Sequence, residues 1–131
     1  MPKAKQLTVW VQDRPGILGE VAGALAPKKV NIQAFAAYVI QNRGAIRLIV
    51  DEPASAKKVF AQCGWKCTEE TVVVVTLADK PGSLGAVASK LGKAGINIQY
   101  AYTGGAKAGG KVNTYFAVAN VATALKRLRS S

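Results

Sequence analysis

Apolar and polar residues alternate over residues 7–11 (LTVWV), the two-residue period of a half-buried strand. The period then changes. Ile17, Leu18, Val21, Ala22 and Leu25 recur at helical spacing and predict one apolar helix face. Asp13-Arg14-Pro15-Gly16 ahead of them suits a helix start, with Asp as a cap and Pro tolerated in the first turn. Pro27 breaks or closes that helix. Residues 30–39 predict a second strand, Gln41-Asn42-Arg43-Gly44 a hairpin turn with Asn or Gly at positive φ, and residues 45–50 a third strand. Pro53 opens a helix through Gln62 that carries Val59 and Phe60 and stops at Gly64; residues 65–69 predict a short fourth strand. The order then restarts: strand 72–77, turn 79–82, helix 83–93, strand 96–103, a glycine-rich hairpin loop 104–110, strand 111–118 and helix 121–129.

The restart is a repeat of sequence as well as of pattern. Residues 13–33 read DRPGILGEVAGALAPKKVNIQ and residues 79–99 read DKPGSLGAVASKLGKAGINIQ, identical at 11 of 21 positions without a gap, at an offset of 66. Chance would give roughly one or two identities over this length. Gly44 and Gly110 keep the same offset. The fold class expected is therefore α+β: two ferredoxin-like βαββαβ units, each an antiparallel sheet with its helices on one face, over residues 1–70 and 71–131. Ser131 aligns with Trp65, so the second unit lacks its own final strand. Its first strand, residues 72–77, would expose a β-prone edge, expected to be covered by a strand of the other repeat or of a second copy.

Composition narrows the function classes. The chain has 131 residues, half of them hydrophobic, and the best apolar stretch, residues 72–78, is far too short to span a bilayer. No apolar core follows Lys3 and Lys5, which predicts no signal peptide and a soluble, cytoplasmic protein without membrane partners. A net charge of +11 points to an anionic partner or to a solvated, solubilising surface. The 18 Lys and Arg divide evenly between the halves, with Lys126, Arg127 and Arg129 the densest cluster. Two cysteines, Cys63 and Cys67, and no histidine do not complete a zinc site, so no metal and no cofactor is expected. The absence of histidine also removes the commonest general base, and no nucleophile has a recognisable activating group; no catalytic residue is assigned.

A strand ending in Asp-Arg/Lys-Pro-Gly-x-Leu-Gly, an amphipathic helix, then Val/Ile-Asn-Ile-Gln resembles an ACT domain, and the motif occurs twice. The resemblance runs from about Gln6 to Arg129 and is strongest to small stand-alone proteins of two tandem ACT domains. It implies a regulatory protein, not an enzyme, that binds a small ligand, usually an amino acid, where ACT domains pair, in a homodimer or higher homo-oligomer. The site residues it implies are Asp13, Arg14, Pro15, Gly16, Ile17, Leu18, Asn31 and Ile32, with Asp79, Lys80, Pro81, Gly82, Ser83, Leu84, Asn97 and Ile98 in the second copy. Asp13 to Asn31 and Asp79 to Asn97 are both 18 residues apart.

The chemistry of those residues agrees. A strand-to-helix turn leaves the first helical N–H groups unpaired, and with the helix dipole they suit a carboxylate. Gly16 and Gly82 admit a ligand close to the backbone. Asp13 and Asp79 accept from an ammonium group, while Asn31 and Asn97 offer a donor and an acceptor. The same residues also serve as plain turn and cap formers. The copies differ at Ile17/Ser83, Ala34/Tyr100 and Ala36/Tyr102, which predicts a second site both more polar and more aromatic. Pro27-Lys28-Lys29 stands against Lys93-Ala94-Gly95, which predicts a curtailed first helix.

Other patterns mislead. Gly105 to Lys111 imitates G-x-x-x-x-G-K, but Val112 follows where a Ser or Thr should hold magnesium, and the loop joins strands rather than opening a helix. It reads better as a hairpin tip, a flap over a ligand. The βαββαβ order also serves RNA-binding domains, yet the third strand, RGAIRLIV, lacks their stacking aromatics; nucleic acid is disfavoured. Two alternatives remain: a basic module that binds nucleic acid or a partner protein, and a detached regulatory subunit of an amino-acid biosynthetic enzyme.

Overall fold

In the computed structural model, residues 3–107 and 109–129 are described, and they divide into two compact units, Lys5–Glu70 and Thr71–Ser131 with Met1–Ala4. The first contains β1 (Lys3–Gln12), α1 (Ile17–Leu25), β2 (Ile32–Ile40), β3 (Arg43–Val50), α2 (Pro53–Gln62) and the head of β4 (Lys66–Ala78). The second contains the rest of β4, then α3 (Ser83–Lys93), β5 (Ile98–Lys107), β6 (Lys111–Val118) and α4 (Val121–Arg129). Both are antiparallel ferredoxin-like folds.

Register explains the first core. Leu7 lies opposite Leu48 and Val9 opposite Ile46, which sets one face of β1 and β3 against the helices. Val21 and Leu25 of α1 and Ala56 and Phe60 of α2 close over it, all with no exposed surface. Expectation and structure part at α1. Leu18 is 39% exposed and does not join the core, because it turns toward the β1–α1 loop. β1 is also more than half-buried: Gln6 and Thr8, on its other face, are fully enclosed. Arg47 Nη1 donates to Thr8 Oγ1 at 3.3 Å, and no buried side-chain polar atom among the described residues lacks a partner.

The turn between β2 and β3 has two residues, Gln41 and Asn42, both at positive φ (52° and 64°), the geometry that matches strand twist. Gly44, expected in that turn, is instead a strand residue paired with Val11 and Val39. A Cβ there would stand 3.0 Å from Val11 Cγ2, tighter than ordinary contact, so close packing against Val11 favours glycine.

The second core repeats the first with variations. Leu91 replaces Leu25, and Val73 and Phe116 face each other across β4 and β6. Residues 65–69 and 72–77, expected as two strands, form the single thirteen-residue β4. Beside it in the sheet lies β1, whose first residues Lys3 and Ala4 belong to the second unit. The loop expected at 104–110 is shorter, since β5 reaches Lys107; the flap reading centres on Ala108, outside the described residues. No helix among the described residues is long and apolar enough to cross a membrane.

The helix ends also differ between repeats. α3 ends with Gly95 at φ 76°, where Ile96 N–H reaches Leu91 O at 2.9 Å. In the first repeat Pro27 stops the equivalent helix two residues earlier, a 3₁₀ turn covers Ala26–Lys28, and Lys29 must take the left-handed position at φ 58°. A residue with a Cβ is strained there, and glycine is not. Lys29→Gly is therefore expected to stabilise the chain by about 0.5–1 kcal/mol, read from urea unfolding midpoints.

Glu69 binds α2 to the sheet, 2.7 Å from Lys57 Nζ and 3.7 Å from Lys5 Nζ. The hydrogen bond from Lys57, and then its charge and that of Lys5, hold the Glu69 carboxyl below the ordinary value of 4.5. A lowered folded-state pKa gives stability that is present above the ordinary value and lost as pH falls through the lowered one. Melting temperature followed from about pH 6 to about pH 3 should fall less steeply in Glu69→Gln than in the parent chain.

Candidate functional site

Each β1–α1 type junction is built by a chain reversal at a glycine. Gly16 (φ 84°) and Gly82 (φ 89°) are the N-caps of α1 and α3, and nothing lies within 4 Å of where a Cβ would sit on either. Neither helix has a side-chain cap. Asp13 and Asp79 therefore do not cap, and Pro15 and Pro81 precede the helices rather than occupying their first turn. The first four-residue helical bonds run from Glu20 N–H to Gly16 O and from Ala86 N–H to Gly82 O, each 3.0 Å. The amides before them, at Leu18–Gly19 and Leu84–Gly85, are the donors left for an anion at the positive end of the helix.

A cavity opens at each turn. The first, about 190 Å³, is lined by Val11, Asp13, Ile17, Leu18, Ala37 and Ile46 among others. The second, about 150 Å³, is lined by Leu77, Asp79, Ser83, Leu84, Thr103 and Val112, the same positions 66 residues on. Each joins one exposed carboxylate to an apolar wall, in a space below the 300 Å³ or so of drug-sized pockets. Sequence reasoning missed the strand residues of the wall. The signal was available in strand register: Ala37 pairs with Ile46 and Val11 with Gly44, so period-two alternation carries them to the face that meets the helix start.

The copies differ in charge. Arg14 Nη2 lies 2.6 Å from Glu20 Oε2, whereas Lys80, with Ala86 at the equivalent place, has no ion pair among the described residues. They differ in lining too. Ser83 and Thr103 replace Ile17 and Ala37, and Thr114 is added, yet the surface lining the second cavity is no more polar than that of the first, against expectation. It is not the more aromatic: Tyr38 lines the first, while Tyr102 stacks on Tyr115 at 5.5 Å and neither it nor Tyr100 lines the second. One position along a strand changes the face, which separates Tyr102 from Thr103.

The asparagines stand apart from the aspartates of their own repeat. Nine-residue α1 separates Asp13 from Asn31 by about 14 Å of helix. The Asn31 amide N–H donates to Asp51 Oδ1 at 2.9 Å, and Asp51 N–H returns to Asn31 O at 3.2 Å, fixing Asn31 to the start of α2. Asn97 lines a different cleft, of about 400 Å³, beside Gln99 and the α4 cap Asn120. Ile32 and Ile98 pack toward the two cores. Each turn thus gathers Asp, Gly and the first helical residues, and excludes the Asn-Ile pair. Among the described residues no cluster of His, Cys, Asp and Glu could hold a metal ion.

A protein-family model for an ACT domain pair matches residues 3–124. Among solved structures, protein BT0572 from Bacteroides thetaiotaomicron is similar over 98% of this chain and 88% of its own, with 26% identity and a TM-score of 0.89. The ligand-free regulatory subunit of aspartate kinase from Thermus thermophilus shares the fold at 17% identity and a TM-score of 0.67, over 96% of this chain and 91% of that one. No curated protein sequence matches.

Proposed function

The chain belongs to the ACT domain pair family, and on that premise we propose that it is a non-enzymatic, cytoplasmic regulatory protein that binds a small amino acid at its two Asp-Pro-Gly turns. The observation that carries this reading is the duplicated cavity: a carboxylate, an uncapped helix start and an apolar wall at equivalent positions. The three parts meet the three parts of an amino acid. The ammonium group goes to Asp13 or Asp79, the carboxylate to the first helical N–H groups, and a short side chain to the wall. The free Lys80 ammonium gives the second site an added attraction for the carboxylate. Asn31 and Asn97 reach a ligand only from an ACT unit paired with the one that supplies the turn, in a homodimer or larger assembly. Binding then favours the paired geometry by the difference in affinity between paired and unpaired states.

Thermal melting against the twenty amino acids tests the reading. A ligand at a hundred times its dissociation constant should add about 2.7 kcal/mol, several degrees in Tm. No shift with any of them would reject it. A second reading is a detached regulatory subunit of an amino-acid biosynthetic enzyme, favoured by the fold shared with the Thermus thermophilus regulatory subunit, 91% of whose chain is covered. Co-purification of such an enzyme with the tagged chain would distinguish it.

A further inference from the structure

The chain has two tryptophans, and both line one cleft of about 610 Å³ in the first unit. Trp10 comes from the end of β1 and Trp65 from the loop between α2 and β4. The Arg43 guanidinium lies 4.7 Å over the Trp10 ring, held there because Arg43 pairs with Gln12 two residues along the strand. Trp65 is braced from behind by Phe60, with ring centroids 6.1 Å apart. Arg14, Arg43 and Lys66 line the cleft, and no carboxylate does. Arg14 is neutralised by Glu20. Arg43 and Lys66 have no ion pair among the described residues, so the positive charge of this aromatic cleft is uncompensated.

The cleft adjoins the first turn cavity, since Val11 and Ile17 line both, but its aromatic and cationic residues do not belong to the duplicated plan. At the offset of 66, Trp10 becomes Thr76, Arg43 becomes Gly109 and Trp65 becomes Ser131. The cleft also has over three times the volume of either turn cavity, and it lacks a carboxylate to receive an ammonium group. An amino acid does not match it. We propose that this cleft binds a nucleoside monophosphate. The base stacks on Trp65 and on the outer face of the Arg43–Trp10 pair, and the phosphate is met by Arg43 and Lys66. Aromatic faces and guanidinium planes accept any base by stacking, and a guanidinium held in place on a ring loses little freedom when it takes up phosphate.

Isothermal titration of the full chain with AMP, GMP, CMP and UMP tests this, with adenosine and inorganic phosphate as the separated halves. The expected result is one site per chain for at least one monophosphate, with adenosine and phosphate each at least tenfold weaker. Arg43→Gln, a substitution at an exposed residue, should weaken binding at least tenfold, and Trp65→Leu likewise where circular dichroism shows it folded. Lys126→Gln, which removes one positive charge outside the cleft, should change binding less than twofold. Absence of saturable heat with all four monophosphates would overturn the proposal. So would indifference to Arg43→Gln, an equal loss in Lys126→Gln, or affinity that rises steadily with the length of a single-stranded oligonucleotide.

Discussion

Phe60→Ala is expected to cost about 3–5 kcal/mol, while Phe35→Ala costs within about 0.5 kcal/mol. Both phenylalanines sit in amphipathic segments, but Phe60 has no exposed surface and Phe35 is 53% exposed. Truncating Phe60 removes the ring from between Val59, Leu25 and the sheet, and the first core, fixed on three sides by β1, β3 and α1, has little freedom to collapse into the void. It also removes the support behind Trp65, so the loss should appear twice: in the urea midpoint and in a red shift of tryptophan emission at denaturant concentrations where the chain is still folded. Equal midpoints for the two variants would contradict the assigned core.

The double variant Asp13→Ala/Asp79→Ala is expected to lose all amino-acid-dependent stabilisation, about 2.7 kcal/mol for each occupied turn at a hundred times the dissociation constant, and to keep its ligand-free stability within about 0.5 kcal/mol. The second half of this expectation follows from the helix starts. Neither aspartate caps its helix, and both are exposed, so removing them breaks no bond of the fold. Each single variant should titrate at half the stoichiometry of the parent chain. Asn31→Ala probes the paired unit separately, since the bonds to Asp51 use the Asn31 backbone and survive truncation of its side chain. Full ligand response in the double variant would remove the turns from the site.

Much of this was legible in the chain. The helical period of α1 and α3, the twofold period of β1, and the offset of 66 sufficed for the α+β plan and for both turns. What was not legible depended on neighbours distant in sequence. Leu18 and Leu84 satisfy the helical period yet lie 39% and 55% exposed, because the apolar stripe is wider than the sheet beneath it and its edge overhangs the turn cavity. The left-handed turn residues are Gln41 and Asn42 although a glycine stands two positions away; strand pairing fixes which residues turn, and Gly44 is reserved for the approach of Val11. Asp13 and Asn31 read as one constellation although the helix between them was legible, because a sequence motif does not say whether its two ends serve the same site or the sites of two paired units. The tryptophan cleft left no motif, since its residues come from three separate places and occur once.

β4 carries a constraint of a different kind. It passes from one repeat into the next without leaving the strand, with Cys67 packed toward the first core and Val73 toward the second. They stand six positions apart along the strand, an even step, so both side chains point to the same face of it. One residue inserted between Glu70 and Thr71 would turn Val74 and Thr76 inward in place of Val73 and Val75, and a deletion would do the same. Two inserted residues would preserve the facing and shift only the pairing with β6. The boundary between these repeats is thus governed by parity: lineages of such proteins should vary freely in hairpin length while any change in the count of residues across this strand comes in twos.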